Sequence, residues 1–190
     1  MALSPDSRNR RGVNGARIIR LAIAVVAIVA AAVLAASAFA TSRSEKSLHG
    51  LNRQVLAAVN RFRVAHGLVA LRESGGLDRS ARQHSLEMGR LGYFSHSSAD
   101  GTVFWQRIQH YYPSRPNRGW AVGENMLWRA PGATAAQAMQ MWIASPEHLR
   151  NMLTARWRQI GVSAVRVLHA PGVYHGWRVV IITTDFGVRH

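Results

Sequence analysis

Trp142-Ile143-Ala144-Ser145-Pro146-Glu147-His148-Leu149-Arg150-Asn151-Met152-Leu153 contains a junction between two helices. Ser145 suits the N-cap, Pro146 the first helical position, where no backbone N–H is needed, and Glu147 the positive end of the helix macrodipole. One helix therefore ends before Ser145 and another begins at Pro146. His148 falls in the first turn of the second helix, where the macrodipole opposes protonation and favours the neutral ring. A neutral imidazole has the lone pair that a metal ligand or general base requires; a capping or surface histidine would occupy the same position. Two upstream stretches tip the reading towards a site, Phe94-Ser95-His96 and Gly123-Glu124-Asn125.

Working outward, Ala135, Ala138-Met139 and Trp142-Ile143 repeat at helical spacing after Pro131-Gly132, with Thr134 as the cap. Further upstream, Leu51, Val55, Val59 and Phe62 predict an amphipathic helix that stops at Gly67. A second begins at Leu77 and places Ala81, His84, Met88 and Leu91 on the same face. His84 has aliphatic neighbours there, which predicts a hydrogen-bonded core histidine rather than a ligand. The chain leaves this helix as the loop Tyr93–Ser98, so His96 is a site candidate. Phe104, Ile108 and Tyr111 predict a third helix within Thr102–Tyr111, whose Arg107 anchors the preceding loop, and Tyr112–Gly119 reads as an irregular surface loop. Glu124 is flanked by Val122, Met126 and Leu127 and is expected to be at least partly buried. A buried carboxylate needs a partner: a histidine, a metal, or an arginine such as Arg107. Downstream, Gln159–Val165 and the β-branched Trp177–Thr184 predict two antiparallel strands, the second of them central, joined through a loop that leaves His169 and His175 at the surface.

The N-terminus is of another kind. Arg8, Arg10, Arg11, Arg17 and Arg20 precede Leu21–Ala40, in which Ser37 is the only polar side chain, and Ala38-Phe39-Ala40 precedes Thr41-Ser42. A basic segment, an apolar run and an A-x-A site read as a secretory signal peptide. Twenty helical residues would also span about 30 Å, enough for an uncleaved signal anchor that contacts the membrane through residues 18–40. Half of Leu21–Ala40 is alanine, which makes the run weakly hydrophobic and favours cleavage. Residues 1–40 are thus a signal peptide or signal anchor, 41–49 a linker, and 50–188 one folded domain without an internal repeat. Either way the domain is extracytoplasmic, secreted or anchored.

Removing the five arginines and one aspartate of residues 1–40 lowers the net charge from +15 to +11. Such a field attracts polyanions, but the arginines are scattered and carry no arginine-aromatic signature of a nucleic-acid module. For an exported protein an anionic lipid or wall polymer outweighs nucleic acid as the partner, and a solvated basic surface without a partner outweighs both. Cysteine is absent, which excludes disulfides and thiolate metal sites.

In order, Leu77…Ala81…His84-Ser85…Met88, Phe94-Ser95-His96, Gly123-Glu124-Asn125, Trp142…Ser145-Pro146-Glu147-His148…Asn151…Leu153 and Thr184-Asp185-Phe186-Gly187 resemble bacterial CAP-superfamily domains, also called SCP domains. Cysteine-rich secretory proteins and plant pathogenesis-related proteins are relatives of these domains. The resemblance covers roughly residues 50–188. It implies an α+β fold, an α-β-α sandwich with a central antiparallel sheet, here preceded by an N-terminal apolar helix. It also implies a cleft lined by two histidines and acidic residues, which fall on His96, His148 and Glu124. The second glutamate of the animal and plant pattern is replaced by Ser145, and that pattern's cysteines and GHYTQ segment are missing.

The expected function is that of an exported binding module of the cell envelope, with a His/Glu cleft able to hold a divalent metal such as zinc on His96 and His148. The alternative is a metal-assisted hydrolase of peptide or cell-wall material, with His96, Glu124 and His148 catalytic. Ser145 serves there as nucleophile only if one of the two histidines reaches its hydroxyl.

Overall fold

The computed structural model describes residues 45–114, 116 and 119–189. The elements run β1 (Glu45–Ser47), α1 (His49–Ala65), β2 (Arg72–Glu73), α2 (Gly75–Leu91), α3 (Phe104–Tyr111), β3 (Trp120–Arg129), α4 (Ala135–Ala144), α5 (Pro146–Met152), β4 (Gln159–Val167), a 3₁₀ turn (Gly172–Tyr174) and β5 (Val179–Arg189). The sheet has the order β1-β4-β5-β3, antiparallel along this path, with the short β2 beside β4 in parallel. The α+β sandwich with an antiparallel sheet between helical layers is therefore the observed fold.

Alternation along β5 builds the two layers. Val180, Ile182, Phe186 and Val188 pack with Val55 and Val59 of α1, Ala138 and Trp142 of α4 and Met152 of α5. The residues between them turn the other way: Val179 and Ile181 meet Leu86 and Met88 of α2, and Ser85 of α2 donates to Thr183 at 2.8 Å. With both faces covered, β5 is a near-continuous apolar run, as central strands are. Gly161 of β4 marks how closely α2 lies on the sheet, since a Cβ there would stand 2.1 Å from the Leu77 carbonyl carbon.

Several boundaries differ from the sequence reading. Residues 45–47 lie in the segment read as a linker but pair with β4, and Glu45 takes Arg90 Nε on both carboxylate oxygens at 2.7 and 2.8 Å. Trp120–Arg129, not recognised as a strand, is β3. The strand expected at Trp177–Thr184 starts at Val179 and continues to Arg189; Trp177 is 53% exposed in the preceding turn. The signal segment and apolar helix of residues 1–40 lie outside the described residues. Among the described residues, no helix is long and apolar enough to cross a membrane.

Candidate functional site

The three singled-out residues come from three elements, and β3 is what relates them. Adjacent residues on a strand point to opposite faces. Glu124 turns towards the layer of α2 and α3, and Asn125 towards α5. Each then fixes one of the two histidines.

On the first face, Glu124 Oε1 accepts from His96 Nδ1 at 2.8 Å, and Glu124 Oε2 accepts from Arg107 Nη2. The glutamate and arginine side chains are 1% and 2% exposed, whereas the His96 side chain is 52% exposed. The two partners anticipated for a buried Glu124, a histidine and Arg107, are thus both present. Because a carboxylate only accepts, the neutral His96 ring has its proton on Nδ1 and its lone pair on Nε2. Burial alone would raise the Glu124 pKa, but the His96 hydrogen bond and the charges of Arg107 and the two nearby histidines, His84 and His96, outweigh it and hold it below the ordinary value.

The loop carrying His96 is fastened from within. The α2 helix ends at Gly92, whose left-handed φ of 76° lets the chain turn out. His84, fully buried, donates Nε2–H to the Ser95 carbonyl at 2.8 Å, which is the hydrogen-bonded core role its apolar neighbours predicted. Arg107 Nη1 donates to the His96 carbonyl at 3.0 Å and to Ser98 Oγ at 3.2 Å. One guanidinium therefore holds both the backbone of His96 and the carboxylate that orients its ring.

On the second face, Asn125 Nδ2 donates to the His148 carbonyl at 3.0 Å and Asn125 Oδ1 accepts from Asn151 Nδ2 at 2.9 Å. Trp157 Nε1 closes the chain by donating to the Asn151 carbonyl at 2.9 Å. Gly123 makes room for this, since a Cβ there would lie 2.5 Å from Asn151 Oδ1. The pKa of His148 is lowered, first by burial and then by the positive charge of His96. Neutrality of His148 was expected from the helix macrodipole; burial and the second histidine are its main causes here. The roles of Asn125, Asn151 and Trp157 were missed, because hydrogen bonds to backbone carbonyls leave no spacing signature.

Ser145 occupies the N-cap position of α5, but its hydroxyl makes no capping bond, and none of the site's hydrogen bonds involves it. Its extended backbone and the following Pro146 suffice to start the helix. Thr134, by contrast, forms the full capping box with Gln137 at the start of α4. Glu147 is exposed, and His169 and His175 are exposed as expected. Among the described residues, no group of three or more His, Asp or Glu side chains is placed to hold a metal ion. With Glu124 spent on His96 and Arg107, the available donors are the lone pairs of two imidazoles. Two imidazoles are fewer protein donors than the three or four of ordinary zinc sites.

Residues 56–176 match the cysteine-rich secretory protein family, CAP. The chain belongs to this family. It does so without a single cysteine, so this CAP domain is held together without disulfides. Among solved structures, an extracellular SCP-domain protein from Bacillus anthracis is similar at 25% identity and a TM-score of 0.57, covering 73% of this chain and 40% of that one. This chain thus spans well under half the length of that relative. An outer surface protein from Borrelia burgdorferi aligns at 16% identity and a TM-score of 0.59, covering 76% of this chain and 98% of that one, a likeness of fold. A search of curated proteins finds no match.

Proposed function

We propose that this CAP domain works outside the cytoplasm as a binding module of the cell envelope, and that its cleft holds a divalent cation between His96 and His148. The observation that carries the reading is the Glu124–His96 hydrogen bond, which puts the proton of the neutral His96 ring on Nδ1 and leaves Nε2 a free lone pair, while the lowered pKa of His148 leaves that ring neutral too. Export is supported by the leader-like residues 1–40 and by the extracellular and outer-surface descriptions of the two similar structures. A divalent cation there supplies a positive centre for an anionic group of the ligand, such as a lipid headgroup or wall polymer.

Hydrolysis is the less supported alternative. Glu124 is a poor general base, because both its oxygens already accept charged or strongly polar donors and its proton affinity is depressed. Ser145 lacks the hydrogen bond to histidine that would activate it. The test is calorimetric titration of the full-length chain with zinc. Wild type is expected to bind, and His96→Ala and His148→Ala to lose the heat. A flat titration of the wild type overturns the metal, and zinc-dependent cleavage of a peptide or wall substrate, lost in His148→Ala, overturns the binding module in favour of the hydrolase.

A further inference from the structure

Asp185, in the Thr184-Asp185-Phe186-Gly187 stretch of β5, has no part in the site as described so far. It lies directly opposite Glu124 in the β3–β5 register and opposite Gly161 in the β4–β5 register. Directly opposed residues of antiparallel strands have Cβ atoms roughly 5 Å apart on the same face. Asp185 is fully buried, and Glu124 nearly so. Gly161 contributes no side chain, and α2 is pressed onto the sheet there, so the pair is closed off from bulk solvent. The groups facing Asp185 are Ser80 from α2, Arg107 from α3 and Glu124 from β3, while His84 from α2 and His96 from the following loop act on Glu124. Neither oxygen of Asp185 finds a donor among the described residues, and Ser80 Oγ has no partner within hydrogen-bond distance. Among the described residues, the arginine nearby, Arg107, is committed to Glu124, His96 and Ser98.

Two carboxylates facing each other in an enclosed space are both acceptors and repel; one proton placed between them removes both problems. Glu124, with its two charged or polar donors, is the one that stays ionised. We propose that Asp185 is a positioning residue for the cleft: in the acid form it donates a hydrogen bond to the Glu124 carboxylate and thereby fixes the carboxylate that orients His96. Burial and the neighbouring Glu124 charge push Asp185 well above the ordinary carboxyl range, in agreement with the acid form. The inference rests on the buried pair and on the orientation of His96, and holds whether or not the cleft takes a metal.

The test is nuclear magnetic resonance of the full-length chain without added metal. The Asp185 carboxyl carbon is expected at its acid-form position at pH 7, and the His96 ring as the Nδ1–H tautomer. Asp185→Asn, which keeps a donor of the same shape, is expected to preserve that tautomer; Asp185→Leu, which fills the space without a donor, is expected to give a mixture of tautomers. An ionised Asp185 at pH 7 overturns the proposal, as does a wild-type tautomer in Asp185→Leu or a mixed tautomer in Asp185→Asn. If Asp185→Leu does not fold, the carboxyl position and the asparagine variant still decide. Failure of zinc binding, by contrast, leaves these readings unchanged and counts only against the cation in the cleft.

Discussion

Arg107 shows how much one side chain carries. Its guanidinium is enclosed together with the Glu124 carboxylate, and breaking a buried pair by removing one member leaves the other charge without compensation. Arg107→Met is therefore expected to lower stability by about 3–5 kcal/mol in denaturant unfolding, and to release the His96 loop as well. His148, His84 and Glu124, all with depressed pKa values, remove stability as pH falls, whereas Asp185 and Asp78, both raised, act in the opposite direction. The His148 pKa lies below 6.5 in the folded chain, so the unfolded chain takes up the proton first and stability falls as pH drops from 6.5 through the folded value. Glu124, held below 4.5, adds a second loss of the same sign at lower pH. His148→Asn is expected to reduce the fall in urea midpoint between pH 7 and pH 5, relative to wild type, and to leave the lower step in place.

At the scale of elements, β3 is the strand that decides the site, and like the short β1 and β2 it was not recognised. Strands announce themselves by alternation or by an apolar run, and Gly123-Glu124-Asn125 breaks both with two adjacent polar residues, each bound to a different layer. For the same reason β5 seemed to stop at Thr184: Asp185 looks like a turn residue until its buried partner is known. The helices were legible, because α1, α2 and α4 each bury one stripe at helical spacing, as were the burial of Glu124 and its arginine partner. What sequence spacing could not show was the side-chain-to-carbonyl bonding that seats α5 against β3. Gly123→Ala tests that seating, since its methyl would stand 2.5 Å from Asn151 Oδ1 and 3.0 Å from Trp157 Cζ2. The variant is expected to lose about 1–3 kcal/mol of stability through overpacking. It is also expected to weaken zinc binding in calorimetry, because α5 carries His148.

Across the whole molecule, two cores on either side of one sheet supply the cohesion that disulfides supply in many small exported domains. The surplus of eleven positive charges on residues 41–190 is spread over this frame. Binding to vesicles or wall polymers rich in anionic groups is expected to weaken steeply as salt is raised from 50 to 500 mM, since the Debye length shrinks below 10 Å above about 0.1 M. A neutral vesicle serves as the control and should show no such dependence. There remains the placement of Glu124 and Asn125 side by side on β3. The carboxylate of one orients the His96 ring in the α2–α3 layer and the amide of the next holds the His148 backbone in α5, so one peptide unit of the sheet carries both ties. A displacement of β3 would therefore reach both layers at once, whichever of the two ties gave way first.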